Sequence, residues 1–284
     1  MIKIDWTWWC LTNNEFGPNW NLAKVIQNAK AAGAVGVELT PPEHWKALRS
    51  EGLTCPLSLV GYEGCAPFDI GFNRVQDRPR VLDEAKRQVA LCEASNGVCN
   101  AVIAFSGKHD HSQTGDTAIQ NCVDGLNQLI EETRGSSVVF MLEHLNDVAP
   151  VSESLYGRGW RHHPDYDATH PNYVLEVVKR VNSPRCKLLF DIYHFQRQLP
   201  QENIVRWMTK NKDHIGHIHV AGDNGSTSVR GELNVPTQLV DWDLTFAAIR
   251  EMNYQGHVGL EFILTPGGHY AREQKAVMKR IRGS

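Results

Sequence analysis

The feature of this sequence that most restricts its fold is a regular alternation between short apolar runs and longer segments of helical periodicity. The apolar runs predict eight β-strands, at residues 2–6, 35–39, 52–59, 100–105, 138–144, 187–191, 215–220 and 257–262. A segment with apolar residues at helical spacing follows each run. Strict alternation of strands and helices predicts parallel strands with right-handed crossovers, and eight such units that close on themselves form a (β/α)8 TIM barrel of the α/β class.

The alternative arrangement for the same alternation is an open, doubly wound sheet. Its nucleotide-binding versions carry a glycine-rich phosphate loop after a strand. Neither Gly-x-Gly-x-x-Gly nor a Walker A sequence follows any strand here. The chain length of 284 residues also suits one barrel of about 250 residues. We therefore predict a single barrel domain that spans residues 1–284.

Four successive predicted strands end on side chains that bind metal ions. These strand-end groups are Glu143, Asp191, either His217 or His219, and Glu261. Each has a purely structural interpretation as well, because a strand-end acid often caps the next helix and a barrel histidine is often a hydrogen-bonded core residue. Since the carboxyl ends of all strands in a parallel barrel meet on one face, four such groups in a row favour a shared site.

Two glutamates, one aspartate and one histidine form an oxygen-dominated ligand set. Such a set suits Mg²⁺ or Mn²⁺, with Zn²⁺ or Co²⁺ as alternatives. His217 and His219 share one face of their strand because the side-chain period is two, so spacing leaves open which of them binds the ion. Glu38 also ends a strand, but we place it outside this part of the barrel face. Four loop histidines are interpreted as solvated or lid residues: His109, His111, His162 and His163.

A divalent cation beside two carboxylates suits proton abstraction from a carbon next to a carbonyl. The cation would polarise the carbonyl, one glutamate would take the α-proton, and the resulting enediolate would be stabilised by the cation. The second glutamate would return a proton on the other side. His194, three residues after Asp191, and Arg230, in the loop after the seventh strand, are placed to contact the substrate.

The motifs around these residues resemble the hydroxypyruvate isomerase-like group of xylose-isomerase-type TIM barrels. This group is related to ketose 3-epimerases, inosose dehydratases and, more remotely, endonuclease IV. The motifs appear in family order at residues 142–146 (LEHLN), 189–196 (LFDIYHFQ), 216–222 (GHIHVAG), 230–234 (RGELN) and 258–262 (VGLEF). Residues 36–39 and 102–107 also fit, so the resemblance covers nearly the whole chain.

The resemblance implies a ligand set and an acid/base pair. It implies a metal ion held by Glu143, Asp191, His219 and Glu261, with Glu143 and Glu261 as the catalytic pair. It also implies substrate contacts for His194 and Arg230, and we assign a substrate contact to His217 as well.

The sequence departs from the family pattern at four places, the first of which is His144, where family members usually have Pro. Hydroxypyruvate isomerases often carry Gln where this chain has His219, whereas epimerases carry His. Residues 226–229 resemble an insertion before the Arg-Gly-Glu motif, and the loop 146–170 differs from the family pattern and is predicted to reshape the substrate pocket. The departure at His219 leaves the exact activity open, the insertion bears on the position of Arg230, and the loop bears on the substrate pocket.

Composition and charge exclude several other classes of protein. A formal net charge of -3 argues against nucleic acid as a partner. The sequence contains no run of 18 apolar residues, so we expect no transmembrane helix. The first residues lack the basic start and apolar region of a signal peptide, and seven cysteines without a CxxC pair predict reduced thiols in a cytoplasmic protein. The expected partner is a small-molecule substrate. A homo-oligomer is compatible with the resemblance, since the relatives are often dimers or tetramers.

The leading hypothesis is a metal-dependent isomerase acting on a small hydroxy-carbonyl substrate, of the hydroxypyruvate and tartronate semialdehyde type. Within enzymes, the alternatives are a ketose 3-epimerase, which needs a base on each face of the substrate carbon, and an inosose-type dehydratase. A hypothesis from a different class is a barrel that binds a ligand or a metal ion without turnover.

Overall fold

The protein contains eight parallel β-strands in one sheet, surrounded by helices. The computed structural model describes residues 2–13, 17–148, 162–223, 239–263 and 269–283. The strands are β1 (Lys3–Thr7), β2 (Gly36–Glu38), β3 (Ser58–Leu59), β4 (Ala101–Ala104), β5 (Val139–Glu143), β6 (Cys186–Asp191), β7 (Ile215–Val220) and β8 (His257–Leu260). Their order around the sheet is β2-β1-β8-β7-β6-β5-β4-β3, as the predicted barrel requires.

Ten α-helices lie within the described residues. They are α1 (Trp8–Thr12), α2 (Leu22–Ala32), α3 (Trp45–Ser50), α4 (Arg78–Ala94), α5 (Gly115–Glu132), α6 (Pro171–Val181), α7 (Ile192–Gln198), α8 (Ile204–Lys210), α9 (Trp242–Glu251) and α10 (Tyr270–Arg282). Seven of the eight predicted helices are present as α-helices, and the eighth, predicted after β2, begins as a 3-10 turn, Pro42–His44, that leads into α3.

Backbone hydrogen bonds between the β2 region and the segment that leads into β3 close the barrel. The amide of Val37 donates to the Thr54 carbonyl at 2.8 Å, and the amide of Leu39 donates to the Leu57 carbonyl at 2.8 Å. This junction is short, since β3 contains only two residues. The structure therefore confirms the (β/α)8 barrel and excludes the open doubly wound sheet.

Helix α2 shows how the sequence fixes the ends of an element. The Asn21 side chain accepts a hydrogen bond from the Lys24 amide and so caps the first turn. Gly33 ends the helix with φ of +80°, a left-handed conformation that glycine adopts without a Cβ penalty. Val25 and Ile26 lie on the buried face, as the helical spacing predicts.

Two helices, α1 and α7, were not predicted, and both begin where a strand ends. Helix α1 follows β1 directly, and α7 follows β6 directly with Asp191 as its N-cap. Both helices begin with two large apolar residues, Trp8 and Trp9 in α1 and Ile192 and Tyr193 in α7, so hydrophobic periodicity does not distinguish their first turn from the end of a buried strand. Both helices place side chains over the carboxyl end of the barrel.

All seven cysteines are free thiols, and six of them are buried. Within the described residues, no helix combines the length and apolar character that a bilayer crossing requires. Most of the predicted long loops, at 146–170 and 222–240, fall outside the described residues.

Candidate metal centre and pocket

A change of register between β6 and β7 aligns two of the predicted ligands. Leu188 lies opposite Ile215, but the pairing shifts between Leu188 and Leu189, so that Asp191 lies opposite His219. Without the shift, Asp191 would lie opposite Ile218, whose side chain points to the other face of β7. An irregularity of this kind redirects side chains next to a functional site.

The four predicted ligands converge at the carboxyl end of β5 to β8. The Nδ1 atom of His219 lies 2.7 Å from Glu261 Oε2, 3.6 Å from Glu143 Oε1 and 3.7 Å from Asp191 Oδ2. One ligand atom from each of the four residues lies within 4.8 Å of the others. All four side chains are buried or nearly so. The structure thus brings together the complete set expected from the strand ends.

The carboxylates create an unfavourable environment for one another. Burial, opposed by His219, raises the pKa of Glu143 to about 7. Burial alone would lower the pKa of His219, but Glu261 and Glu38 outweigh it and raise that pKa well above its usual value. Three buried acids around one imidazole therefore leave excess negative charge that a cation would neutralise.

The donor set fits a divalent cation. Three carboxylates and one imidazole supply the hard, oxygen-rich coordination that Mg²⁺ and Mn²⁺ prefer and that Zn²⁺ and Co²⁺ also accept. The residues that would hold the ion are the four that converge on His219 Nδ1, namely Glu143, Asp191, Glu261 and His219 itself.

Asp191 caps a helix and also faces the cluster of candidate ligands. Its Oδ1 accepts a hydrogen bond from the amide of His194 at 2.9 Å and caps α7, while its Oδ2 faces the ligand cluster. The capped helix carries His194 into the pocket wall. The Asn146 amide donates to His194 Nδ1 at 3.2 Å, so a neutral ring carries its proton on Nε2 and offers a donor to a substrate oxygen.

The pocket above the cluster has a largely apolar wall. Glu143, Glu261 and His194 supply its polar side, together with His163 and Trp9. The apolar side consists of Leu39, Leu59, Pro67, Phe68, Ile103, Phe105 and Leu145. The described lining residues include neither lysine nor arginine.

Sequence reasoning missed two polar residues of this wall. The Trp9 indole donates a hydrogen bond to Glu261 Oε1 at 2.7 Å and holds that carboxylate in place. His163, interpreted from the sequence as a solvated or lid residue, is buried and packs edge-on against Phe68 with ring centroids 4.3 Å apart. The sequence signal that could have found Trp9 is the aromatic run WTWW at residues 6–9, at the end of β1.

The interpretation of Glu38 as distant from the site is wrong. Its Oε1 lies 3.3 Å from Nε2 of His219, and its Oε2 lies 2.7 Å from Nε2 of His217. The pairing of β1 with both β2 and β8 brings the end of β2 close to that of β7 across the barrel interior. His217 contacts Glu38 and does not line the pocket, so this geometry does not support its predicted substrate contact.

Arg230 and the segment 226–229 lie outside the described residues. The predicted substrate contact of Arg230 therefore stays a prediction. His109, interpreted as a loop residue, pairs through Nδ1 with Asp167 Oδ1 at 2.8 Å and keeps about a third of its side chain exposed.

The chain belongs to the xylose isomerase-like TIM barrel family, whose sequence model matches residues 26–281. It is 32% identical over 99 residues to hydroxypyruvate isomerase of Escherichia coli (strain K12), covering 35% of each chain. It is 26% identical over 102 residues to D-psicose 3-epimerase of Enterocloster bolteae, covering 36% of this chain and 31% of the epimerase. These matches span about a third of the length of the curated relatives.

A similar solved structure is an AP endonuclease, family 2, from Brucella melitensis. The TM-score is 0.73 at 19% identity, and the match covers 92% of this chain and 93% of the other. At this identity the likeness shows the fold alone. Family membership confirms the resemblance drawn from the motifs, and the barrel confirms the predicted architecture.

Proposed function

We propose that this protein is a metal-dependent isomerase acting on a small hydroxy-carbonyl substrate, of the hydroxypyruvate and tartronate semialdehyde type, through an enediolate. The observation that carries the proposal is the convergence of Glu143 and Glu261 at one pocket, beside Asp191 and His219. The match to hydroxypyruvate isomerase of Escherichia coli (strain K12) supports the same reaction class.

Each residue of the pocket has one role in the proposed reaction. Glu143 and Glu261 come from different strands and both line the pocket, so one takes the proton from the carbon next to the carbonyl and the other returns a proton. The Trp9 indole holds Glu261, and the Nε2 donor of His194 binds a substrate oxygen. The bound cation supplies polarisation of the carbonyl, which makes that proton acidic enough to remove.

A second candidate is a ketose 3-epimerase, and the apolar wall favours it. A carboxylate substrate such as hydroxypyruvate is usually held by an arginine or a lysine, and the described lining contains neither. A neutral ketose needs no such group. The match to D-psicose 3-epimerase of Enterocloster bolteae agrees with this alternative.

Proton NMR in deuterated water tests both candidates. The protein, loaded with Mg²⁺, is given hydroxypyruvate or a ketohexose, and Glu261→Gln is compared with Glu251→Gln, a matched change at an exposed position at the end of α9. We expect deuterium next to the carbonyl with the wild type and with Glu251→Gln, and none with Glu261→Gln.

The substrate that exchanges selects the activity. Exchange with hydroxypyruvate supports the isomerase, and exchange at C3 of the ketose supports the epimerase. Absence of exchange with both substrates, in a protein shown to bind Mg²⁺, would refute both and favour a dehydratase or a non-catalytic barrel.

A further inference from the structure

Glu38 is a fully buried carboxylate with three polar neighbours inside the barrel. The Thr7 hydroxyl donates a hydrogen bond to its Oε1 at 2.6 Å. Two imidazole nitrogens lie close, His217 Nε2 at 2.7 Å from Oε2 and His219 Nε2 at 3.3 Å from Oε1. An ionised side chain in such a place is costly unless its contacts compensate the lost hydration. We call these four residues the Glu38 cluster: Thr7, Glu38, His217 and His219.

The barrel makes room for this carboxylate at a specific position. Gly259 on β8 lies against it, and a Cβ added there would lie 2.2 Å from Glu38 Oε1 and 2.6 Å from Oε2. Only glycine permits this approach without displacing the carboxyl group. The same glycine lies opposite His219 in the sheet, so space for Glu38 opens beside that histidine.

The backbone after Glu38 is also unusual. Leu39 has φ of +54°, in the left-handed region, which residues with a Cβ rarely adopt. The turn lets Glu38 point into the barrel while Leu39 lines the pocket. Strain of this kind persists where the surrounding structure fixes it, and it concentrates at functional sites.

The two nitrogens of His219 face different partners. Nδ1 faces the carboxylates of Glu261, Glu143 and Asp191, whereas Nε2 faces Glu38 alone. An imidazole that binds a metal ion through one nitrogen commonly donates the N–H of the other to a carboxylate, which fixes the tautomer and the orientation of the ring.

We propose that Glu38 is the positioning residue of the cation site, and that it holds His219 Nε2 so that Nδ1 is presented to the cation. The proposal rests on the cation site of the proposed function and adds to it a residue from the opposite side of the barrel. Gly259 and Thr7 support Glu38, the first by leaving space and the second by donating a hydrogen bond.

Glu38, His217 and His219 also form a group whose ligand atoms lie close enough together to hold a cation. That group offers three ligand atoms among the described residues, and Glu38 Oε1 already accepts the hydrogen bond of Thr7. The other group offers four ligand atoms, three of them from carboxylates, so we assign the cation to the four-residue group.

Calorimetric titration of the metal-free protein with Mn²⁺ tests the proposal. We expect Glu38→Gln to weaken Mn²⁺ binding about 10- to 100-fold, the usual loss when the partner of a histidine ligand is removed. Asp5→Asn is the matched control, because Asp5 is equally buried and also contacts an imidazole, that of His257, but does not contact any of the four ligands. We expect its Mn²⁺ affinity to stay within about twofold of the wild type.

Two further readouts separate positioning from general instability. The visible spectrum of bound Co²⁺ reports ligand geometry, and we expect it to change in Glu38→Gln and not in Asp5→Asn. Thermal unfolding of the metal-free protein shows whether Glu38→Gln folds. If it does not fold, the Mn²⁺ affinity of Thr7→Val tests the positioning role of Glu38 instead. That variant keeps the carboxylate and removes its hydroxyl donor, and we expect a weaker loss of affinity in the same direction.

The outcomes distinguish this proposal from the proposed function. Wild-type Mn²⁺ affinity in a folded Glu38→Gln, with an unchanged Co²⁺ spectrum, would overturn the positioning role and leave the cation site intact. Equal losses in Glu38→Gln and Asp5→Asn would also overturn it. A wild-type protein that binds neither Mn²⁺ nor Co²⁺ would refute the cation site and, with it, both proposals.

Discussion

Two buried carboxylates on neighbouring strands have pKa values shifted in opposite directions. Asp5 on β1 and Glu38 on β2 are both fully inaccessible to solvent, and both lie beside imidazoles. Burial raises the pKa of Asp5, although His257 opposes the shift. Burial alone would raise the pKa of Glu38 too, but His219 and His217 outweigh it and hold that pKa well below its usual value.

The difference between the two pKa values follows from the groups that surround each acid. Asp5 contacts one ring, that of His257, toward the amino end of β8. Glu38 contacts two rings and a hydroxyl at the carboxyl end of the barrel. The Asp5 pair (Asp5 and His257) is thus a structural element, whereas the Glu38 cluster can hold charge where parallel barrels carry out chemistry.

The largest expected effect tests whether chemistry is confined to the carboxyl end. Glu143→Gln should lower the rate of proton exchange about 10²- to 10⁴-fold, because the carboxylate takes part in proton transfer. Asp5→Asn should leave the rate within about threefold of the wild type. The rate of deuterium incorporation in the NMR assay is the measurement, and a comparable loss in both variants would break the distinction between the two ends.

A second test compares the apolar packing next to Asp191, at the candidate cation site, with the packing next to Asp5. Phe190, which precedes Asp191, is fully buried and stacks on Trp207 with ring centroids 5.0 Å apart, and Ile4, which precedes Asp5, is also fully buried. Phe190→Ala and Ile4→Ala should each lower the free energy of unfolding by about 2–5 kcal/mol. Denaturant unfolding measures these losses.

Only one of these two packing variants should affect the cation site. Removal of the Phe190 ring loosens the strand end that carries Asp191, so Phe190→Ala should also weaken Mn²⁺ binding in calorimetry. Ile4→Ala, at the other acid, should not change it. Equal Mn²⁺ affinity in both variants would show that the site does not depend on this packing.

A third test separates shape from chemistry at the carboxyl end. Phe68 lines the pocket and supports His163 but does not contact the ligand cluster. Phe68→Ala should raise KM about 10-fold or more through lost apolar contact, at about 25 cal/mol per Å2, and leave kcat nearly unchanged. Steady-state kinetics gives both constants, and a fall in kcat with constant KM would assign Phe68 a part in the chemical step.

The smallest expected effect concerns the pH dependence of Asp5. Because folding raises its pKa above the unfolded value of about 3.9, its neutral form stabilises the fold at low pH, and this contribution is lost as pH rises through the raised pKa. The unfolding free energy of the wild type, relative to Asp5→Asn, should therefore fall as pH increases from about 4. A difference that grows with pH would mean that His257 keeps Asp5 ionised, and the contrast with Glu38 would disappear.

The fold and the ligand set were predictable because both follow from local patterns. Each strand is an apolar run followed by amphipathic periodicity, and a closed parallel barrel then requires strand ends to meet. Glu143, Asp191 and Glu261 could therefore be grouped without knowledge of their distances. The choice between His217 and His219 needed the structure or the family resemblance, because both side chains point into the barrel.

The remaining features depend on contacts between distant segments. The position of Glu38 beside His219 follows from strand pairing across the barrel and from the missing side chain at Gly259, neither of which leaves a periodic signal. The contact of His163 with Phe68 depends on how two loops pack. Helix α7 went unpredicted because it is short and begins with large apolar residues directly after a buried strand, and the register shift near Leu188 has no sequence signature of its own.

That register shift also limits how this centre can be transplanted. A designer who copies the four ligands onto an idealised barrel with uniform strand pairing would place Asp191 level with a residue of the wrong face. The irregular step between Leu188 and Leu189 has to be copied with the ligands, as does the glycine at 259. A transplanted centre therefore needs the strand register and the glycine as well as the ligand side chains that they orient.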